Sequence, residues 1–307
     1  MRHAELNLPQ MNGGSTDGFT AKYNLQMEHS VSLREIHLIV MKVNADGTET
    51  PATADYIEEF QLSLNGDTIY DVSGLQLEMI EKFKSTHTQD GRVVVPFADF
   101  SLTTQQSQAQ TSLVILPGEN VVMKVKTKPR VVADDPVATV TQLRVEARAV
   151  YAPLPATQRR LFVPHLTSDT LKASRTGDNK IEDFIPLGKS GNKLNIRRMH
   201  VMTSRVQAVQ IKRGKVEIFD ATADDNNYSL QRYGMTPQQI ANNTDATTGI
   251  YHIDPIKTGF GIVDQLDGRR GRFDIVADLS AAGDYEVLFE SLEDLRSDEE
   301  KAAGILL

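Results

Sequence analysis

The sequence predicts an all-β protein: two jelly-roll β-sandwiches in tandem, each carrying a short helix. Three observations predict it. Apolar residues recur in strand-length runs, alternating or continuous, along most of the chain. Two half-chains carry the same order of elements, as an internal duplication would. The 307 residues also suit two domains of about 150 residues each. With one helix per half, a double-sheet sandwich accommodates these elements better than a βαβ fold. The expected divisions are a flexible N-terminal arm over 1–18, a first jelly roll over 19–155, and a second over 156–307 ending in a short helix.

In the first half, "FTAKYNLQM" (19–27) alternates apolar and polar residues, and "REIHLIVMKV" (34–43) is nearly continuous apolar strand. "EEFQLSLNGDTIYDV" (58–72) reads as a hairpin turning at Asn65-Gly66. "SGLQLEMIEKFKS" (73–85) predicts a helix capped by Ser73, with Leu75, Leu77, Met79, Ile80 and Phe83 as an imperfect apolar stripe. Strands resume at "GRVVVPFADFSL", "TSLVILPG", "ENVVMKVKTK" and "TVTQLRVEARAVYA". The join is "YAPLPATQRRLFVP", where Pro153, Pro155 and Pro164 interrupt ladders and Arg159-Arg160 marks a solvated stretch.

The second half restates this order. "EDFIPLGKSGNKLNIRRMHVM" (182–202) parallels "AKYNLQMEHSVSLREIHLIV" (21–40), so His37 and His200 take equivalent places. "AVQIKRGKVEIFDA" (208–221) parallels the first hairpin, each ending in isoleucine, aromatic, aspartate: Ile69-Tyr70-Asp71 and Ile218-Phe219-Asp220. The expected helix is "TPQQIANN" (236–243), with Thr236 as cap and Pro237 at its first position. Strands follow at "GIYHIDPI", "GRFDIVADL" and "DYEVLFESL", then a terminal helix capped by Ser291.

A formal charge of −8 argues against a nucleic-acid coat, so no specific nucleic-acid binding is expected. The absence of cysteine excludes disulfides, thiolate catalysis and cysteine-ligated metals. No apolar run reaches membrane-span length, and "MRHAELNLPQMNGG" lacks a signal peptide's apolar core, so synthesis and folding in a cytoplasm are expected.

No catalytic constellation emerges. The seven histidines form neither an HExxH motif nor a His-x-His pair, and a strand histidine that pairs with a neighbouring carboxylate or faces solvent is the expected role of His37 and His200. "DATADDNNY" gathers Asp220, Asp224 and Asp225 as candidate oxygen ligands for a metal, against the plainer reading of a solvated loop; it lacks the glycine and glutamate of an EF-hand. "GKSGNK" (188–193) lacks the lead of a phosphate-binding loop and reads as a turn. An alternative reading, a two-domain β-sandwich enzyme or glycan-binding protein of bicupin type, needs histidines and a carboxylate converging inside one domain.

This order of elements resembles the double jelly-roll major capsid proteins of membrane-containing icosahedral bacteriophages, most of all the corticovirus type. The likeness is carried by "VQIKRGKVEIFD", "NNYSLQRYG" with Tyr228, Leu230, Tyr233 and Gly234, then "YHIDPI", "GRFDIVADL" and "YEVLFESLEDL". The resemblance implies a structural protein with no catalytic residue. It implies a homotrimer with a pseudo-hexagonal outline, built into an icosahedral capsid alongside neighbouring capsomers, in a virion assembled in a host cytoplasm. It further implies contact with an internal lipid membrane and with minor capsid and viral membrane proteins. Arg2, Lys172, Arg175 and Lys180 are the membrane-proximal candidates, and calcium becomes the candidate ion for Asp220, Asp224 and Asp225.

Overall fold

The computed structural model describes residues 4–14, 18–103, 105–129, 140–155, 159–189, 191, 193–238, 249–259, 265–268, 271–297 and 299–300. The chain forms two compact units. One comprises Met1–Lys82, Thr86–Asp99 and Ala109–Leu161, and the other Phe83–Ser85, Phe100–Gln108 and Phe162–Leu307.

The strands of the first unit are β1 (Ala4–Asn7), β2 (Met11–Gly14), β3 (Thr20–Leu25), β4 (Val31–Asn44), β5 (Glu49–Pro51), β6 (Ile57–Leu64), β7 (Asp67–Val72), β8 (Arg92–Pro96), β9 (Leu113–Ile115), β10 (Val121–Thr127) and β11 (Val140–Pro153). Helix α1 (Gly74–Phe83) follows β7, and α2 (Gln105–Thr111) precedes β9. In one sheet β11 and β4 form a long antiparallel spine; β1 and β2 line the far side of β11, while β5, β8 and β9 line that of β4. The other sheet runs β7–β6–β10–β3. Period-two alternation sends Ala21, Tyr23 and Leu25 of β3, with Val121, Met123 and Val125 of β10, into the core. The Tyr23 hydroxyl donates to the Val145 carbonyl at 3.1 Å, tying β3 to β11. Burial and the nearby Glu146 push that hydroxyl's pKa up to about 12.

Local chemistry sets the turns. Asn65 (φ 53°) and Gly66 (φ 93°) make the two-residue primed turn whose twist suits the β6–β7 hairpin. Ser73 caps α1 reciprocally: its Oγ accepts from the Gln76 amide at 3.3 Å, and Gln76 Oε1 accepts from the Ser73 amide at 2.7 Å.

The second unit holds β12 (Phe162–Ala173), β13 (Gly177–Glu182), β14 (Asn195–Val201), β15 (Val206–Arg213), β16 (Val216–Thr222), β17 (Tyr251–Ile253), β18 (Leu266–Asp267), β19 (Phe273–Leu279) and β20 (Gly283–Asp294), with α3 (Ala223–Arg232) after β16. One sheet runs β17–β14–β20–β12 with β18 also on β14; the other runs β13–β19–β15–β16. The core between them includes Ile196, Met199 and Val201 of β14, Val287 and Phe289 of β20, Val209 and Ile211 of β15, and Ile275 and Ala277 of β19. The pairing order repeats that of the first unit, β20 and β14 standing for β11 and β4, and β13–β19–β15–β16 for β3–β10–β6–β7. Two tandem jelly rolls are therefore present.

Several expectations need correction. Residues 4–7 and 11–14 do not hang as a flexible arm but pair with β11, whose outer edge offers unpaired backbone groups. Gly13 serves close packing: a Cβ there would lie 2.1 Å from the Phe19 ring. Arg160 is not solvated; it grips Glu119 with two bonds of 2.7 Å. Pro164 stands inside β12, near its start, where a missing N–H is tolerated. In the second half the helix is α3, not 236–243: residues 236–238 are irregular and 239–243 lie outside the described residues. Ser291 belongs to β20, and the terminal cap is Ser297, which exchanges bonds with Glu300 at 2.7 and 3.2 Å.

Candidate functional site: a buried ionic network in the second unit

The polar cluster in the second unit follows from strand register. Met199 and Val201 face the sandwich core, so their neighbours Arg198 and His200 point to the sheet's other face. Arg198 stands opposite Glu290 on β20, and His200 opposite His252 on β17. That outer face is closed over: Arg198, His200 and His252 are each 0% exposed. The Phe83 ring stacks on His252 with centroids 4.3 Å apart and meets His200 edge-on at 5.3 Å. Phe83 itself packs with Leu230 and Met235.

Every charge here is answered. Arg198 donates through Nε to Asp254 at 2.9 Å and through Nη2 to Ser101 at 2.9 Å, with Nη1 lying 3.6 Å from Glu290. Lys84 reaches Glu290 at 2.7 Å. His200 Nε2 lies 3.2 Å from Glu290, and the facing Nδ1 atoms of His200 and His252 are 2.7 Å apart. His252 Nε2 accepts from the Gln238 amide at 3.1 Å, and Asn226 donates to the His252 carbonyl at 2.6 Å. Burial alone would raise the Glu290 carboxyl, but Lys84, Arg198 and His200 outweigh it and hold it well below the carboxylate range. Burial lowers both histidines, and the adjacent His200 ring further disfavours a charge on His252. Such an arrangement fixes strands.

His37, on β4, pairs with Glu35 at 2.9 Å and stays partly exposed. The candidate metal ligands do not gather. Asp220 is on β16, bonded by Gln210 at 3.3 Å. Asp224 and Asp225 occupy the first turn of α3, where carboxylates favour the helix's positive end. The supposed loop is thus a helix, capped by Thr222, whose Oγ1 accepts from the Asp225 amide and donates to its carboxylate at 2.8 Å. Among the described residues no group of three His, Asp or Glu side chains is placed to hold a metal.

Of the membrane-proximal candidates, Arg2 lies outside the described residues. Lys172 is exposed on β12, and Arg175, in the turn after it, donates to the Asp178 carbonyl at 3.1 Å. Lys180 is engaged by Glu182 and Asp274 at 3.0 and 3.3 Å, so its charge is largely answered. Sequence reasoning missed Lys84, Arg198, His252, Asp254 and Glu290. The available signal was the alternation of Arg198 and His200 with Met199 and Val201 at the end of β14.

Two like sandwiches, with a polar site devoted to bracing one of them, define a structural subunit of the double jelly-roll class. Both halves match models of one family, the viral coat protein P2 N-terminal domain over residues 6–151 and its C-terminal domain over 163–295. The chain belongs to the viral coat protein P2 family: it is a viral capsid protein, a component of the virion shell. Solved structures share the fold. The major capsid protein P2 of bacteriophage PM2 superposes with a TM-score of 0.74 at 16% identity, covering 97% of this chain and 99% of that one. A chain of Sulfolobus turreted icosahedral virus gives 0.65 at 13% identity over 98% and 94%, and the capsid of PBCV-1 gives 0.53 at 10% over 95% and 94%. No curated protein matches the sequence. As a coat protein, the chain works in contact with other subunits.

Proposed function

We propose that three copies form a capsomer of pseudo-hexagonal outline, and that these capsomers tile an icosahedral shell around an internal lipid membrane. The observation that carries this reading is the repeated sheet order in one chain: three chains bring six like sandwiches around a threefold axis, and a closed trimer can then use its remaining surfaces to extend a lattice. The PM2 structure is of a major capsid protein, which agrees with this role. On the second unit, Leu187, Val216, Ile218, Tyr228 and Tyr233 are large apolar side chains left exposed, surface that subunit contacts are suited to cover. The jelly rolls are taken as residues 19–155 and 156–307, and minor capsid and membrane proteins as further partners.

Native mass measurement tests the assembly. A species of three times the 34.0 kDa chain mass is expected, and a monomer at micromolar concentration would overturn it. For the membrane, Lys172, Arg175 and Lys180 are exposed cations, and Lys180 is engaged in ion pairs. Replacing Lys172 and Arg175 with glutamate should weaken binding of the capsomer to anionic vesicles by about 1 kcal/mol per residue, and unchanged binding would remove them from that role.

A further inference from the structure

The hydrogen bonds around His200 and His252 admit one arrangement of protons. A backbone amide only donates, so His252 Nε2, accepting from Gln238 at 3.1 Å, carries no proton. A neutral imidazole then carries it on Nδ1, and His252 donates to His200 Nδ1 across 2.7 Å. The proton of His200 is thereby on Nε2, directed at Glu290 Oε1 3.2 Å away. All four ring nitrogens are used, and the chain runs one way from amide to carboxylate.

We propose that this chain is an acid-release latch for the segment Gly234–Gln238. A proton arriving at His252 Nε2 turns that atom from acceptor to donor, facing the Gln238 N–H, and the two must part. The segment it holds is also tied within the second unit by Gly234 N to the Gln231 carbonyl at 3.0 Å, Met235 N to the Leu230 carbonyl at 3.1 Å, and Thr236 N to the Phe83 carbonyl, Ser85 Oγ to the Gly234 carbonyl and to Thr236 Oγ1, each 2.8 Å; at Gln238 the further backbone tie is Ile250 N to its carbonyl at 2.8 Å. Entry is at this end because Gln238 is only partly buried, whereas His200 is enclosed and its Nδ1 is already occupied.

The surroundings disfavour a charged ring while the latch is closed. Lys84 of the 83–85 segment and Arg198 of β14 are cations within the same cluster, and Phe83 covers both rings. Glu290 of β20 is the opposing carboxylate, but Lys84 already holds it at 2.7 Å, and Asp254, beyond β17, is engaged by Arg198. Burial lowers both histidines from 6.5, in agreement with neutral rings in the closed state.

Native-state hydrogen exchange on the full chain tests the latch, read as protection factors at about pH 7.5 and about pH 5. An imidazole that titrates normally once released favours the open segment by about thirtyfold at the lower pH. Protection at the Gln238 amide is expected to fall by that factor while β14 and β20 amides keep theirs. In His252→Gln the side-chain carbonyl still accepts from Gln238 but does not titrate, and protection there should be the same at both pH values. Equal protection of the unaltered protein at both, a uniform loss across the unit, or an unchanged pH response in the variant would each overturn the proposal. Should that variant not fold, imidazole nitrogen resonances of the unaltered protein decide. Protons on His252 Nδ1 and His200 Nε2 are required at neutral pH, and any other tautomer pair or a cationic ring refutes it.

Discussion

Among the described residues, Arg198 heads the largest side chains that are fully enclosed, and the others named with it are apolar. Withdrawing a guanidinium from water is costly, and here Asp254, Glu290 and Ser101 offset that cost only while all are in place. Truncation by Arg198→Ala takes the guanidinium away from buried Asp254 and leaves Glu290 to Lys84 and His200, and urea unfolding should show a loss of about 3–5 kcal/mol. The pH response has a definite sign. Burial lowers the two histidines from 6.5, so the stability they add at neutral pH is lost as pH falls below 6.5. Glu290, held well below 4.5, adds stability above 4.5 that is lost as pH falls further. The urea midpoint of the second unit should therefore drop in two successive windows, and Glu290→Gln should shrink the lower one, in which the ion-paired Glu182 and Asp274 also lie. That His200 would seek a carboxylate was legible in the strand around it. Its partners were not, because they stand 52 and 90 residues away and are set by sheet register, which no local pattern encodes.

Helix α3 shows why an element can be invisible in sequence. Only Ala223, Asn226 and Leu230 turn inward, a stripe too thin and too polar for periodicity to reveal. What forms the helix is its ends. Thr222 caps the start, and Thr222→Ala should cost about 1 kcal/mol, measured by the same urea unfolding. At the other end Gly234 adopts φ +83°, with Met235 N bonding the Leu230 carbonyl at 3.1 Å and Gly234 N the Gln231 carbonyl at 3.0 Å; the Leu230–Met235 contact completes this glycine-ended stop. Gly234→Ala forces an L-residue into the left-handed region at a cost of about 1–2 kcal/mol. The leucine, tyrosine and glycine quoted for the family likeness are thus, in part, a helix terminus. The N-terminal strands were misread for the converse reason: a glycine that looks loose in sequence is packed. In Gly13→Ala the added carbon meets the Phe19 ring, so β2 should leave β11, and limited proteolysis should then cut within residues 8–18 faster than in the unaltered chain.

At the scale of the whole chain, sheet order was the most legible property, because alternation and paired turns survive in each half even where individual residues have changed. Duplication also explains why strands, more than helices, were read correctly. Their two-residue period is repeated over a dozen segments, whereas each helix offers one short sample. Exchange of amide hydrogens should rank the strands accordingly: slowest in β4, β11, β14 and β20, each flanked on both sides within its own unit, and faster in β5 and β16.

The equivalent strands around His37 and His200 began as the same sentence and have since acquired different fates. In one copy a histidine and Glu35 remain a partly exposed pair; in the other, arginine occupies the position matching Glu35 and His200 and Arg198 are sealed. Inheritance of the sealed version is all or nothing, since an imidazole deprived of its mate leaves a buried nitrogen with no bond. Descendants should keep both rings or lose both together, a co-variation that the partly exposed copy has no reason to obey.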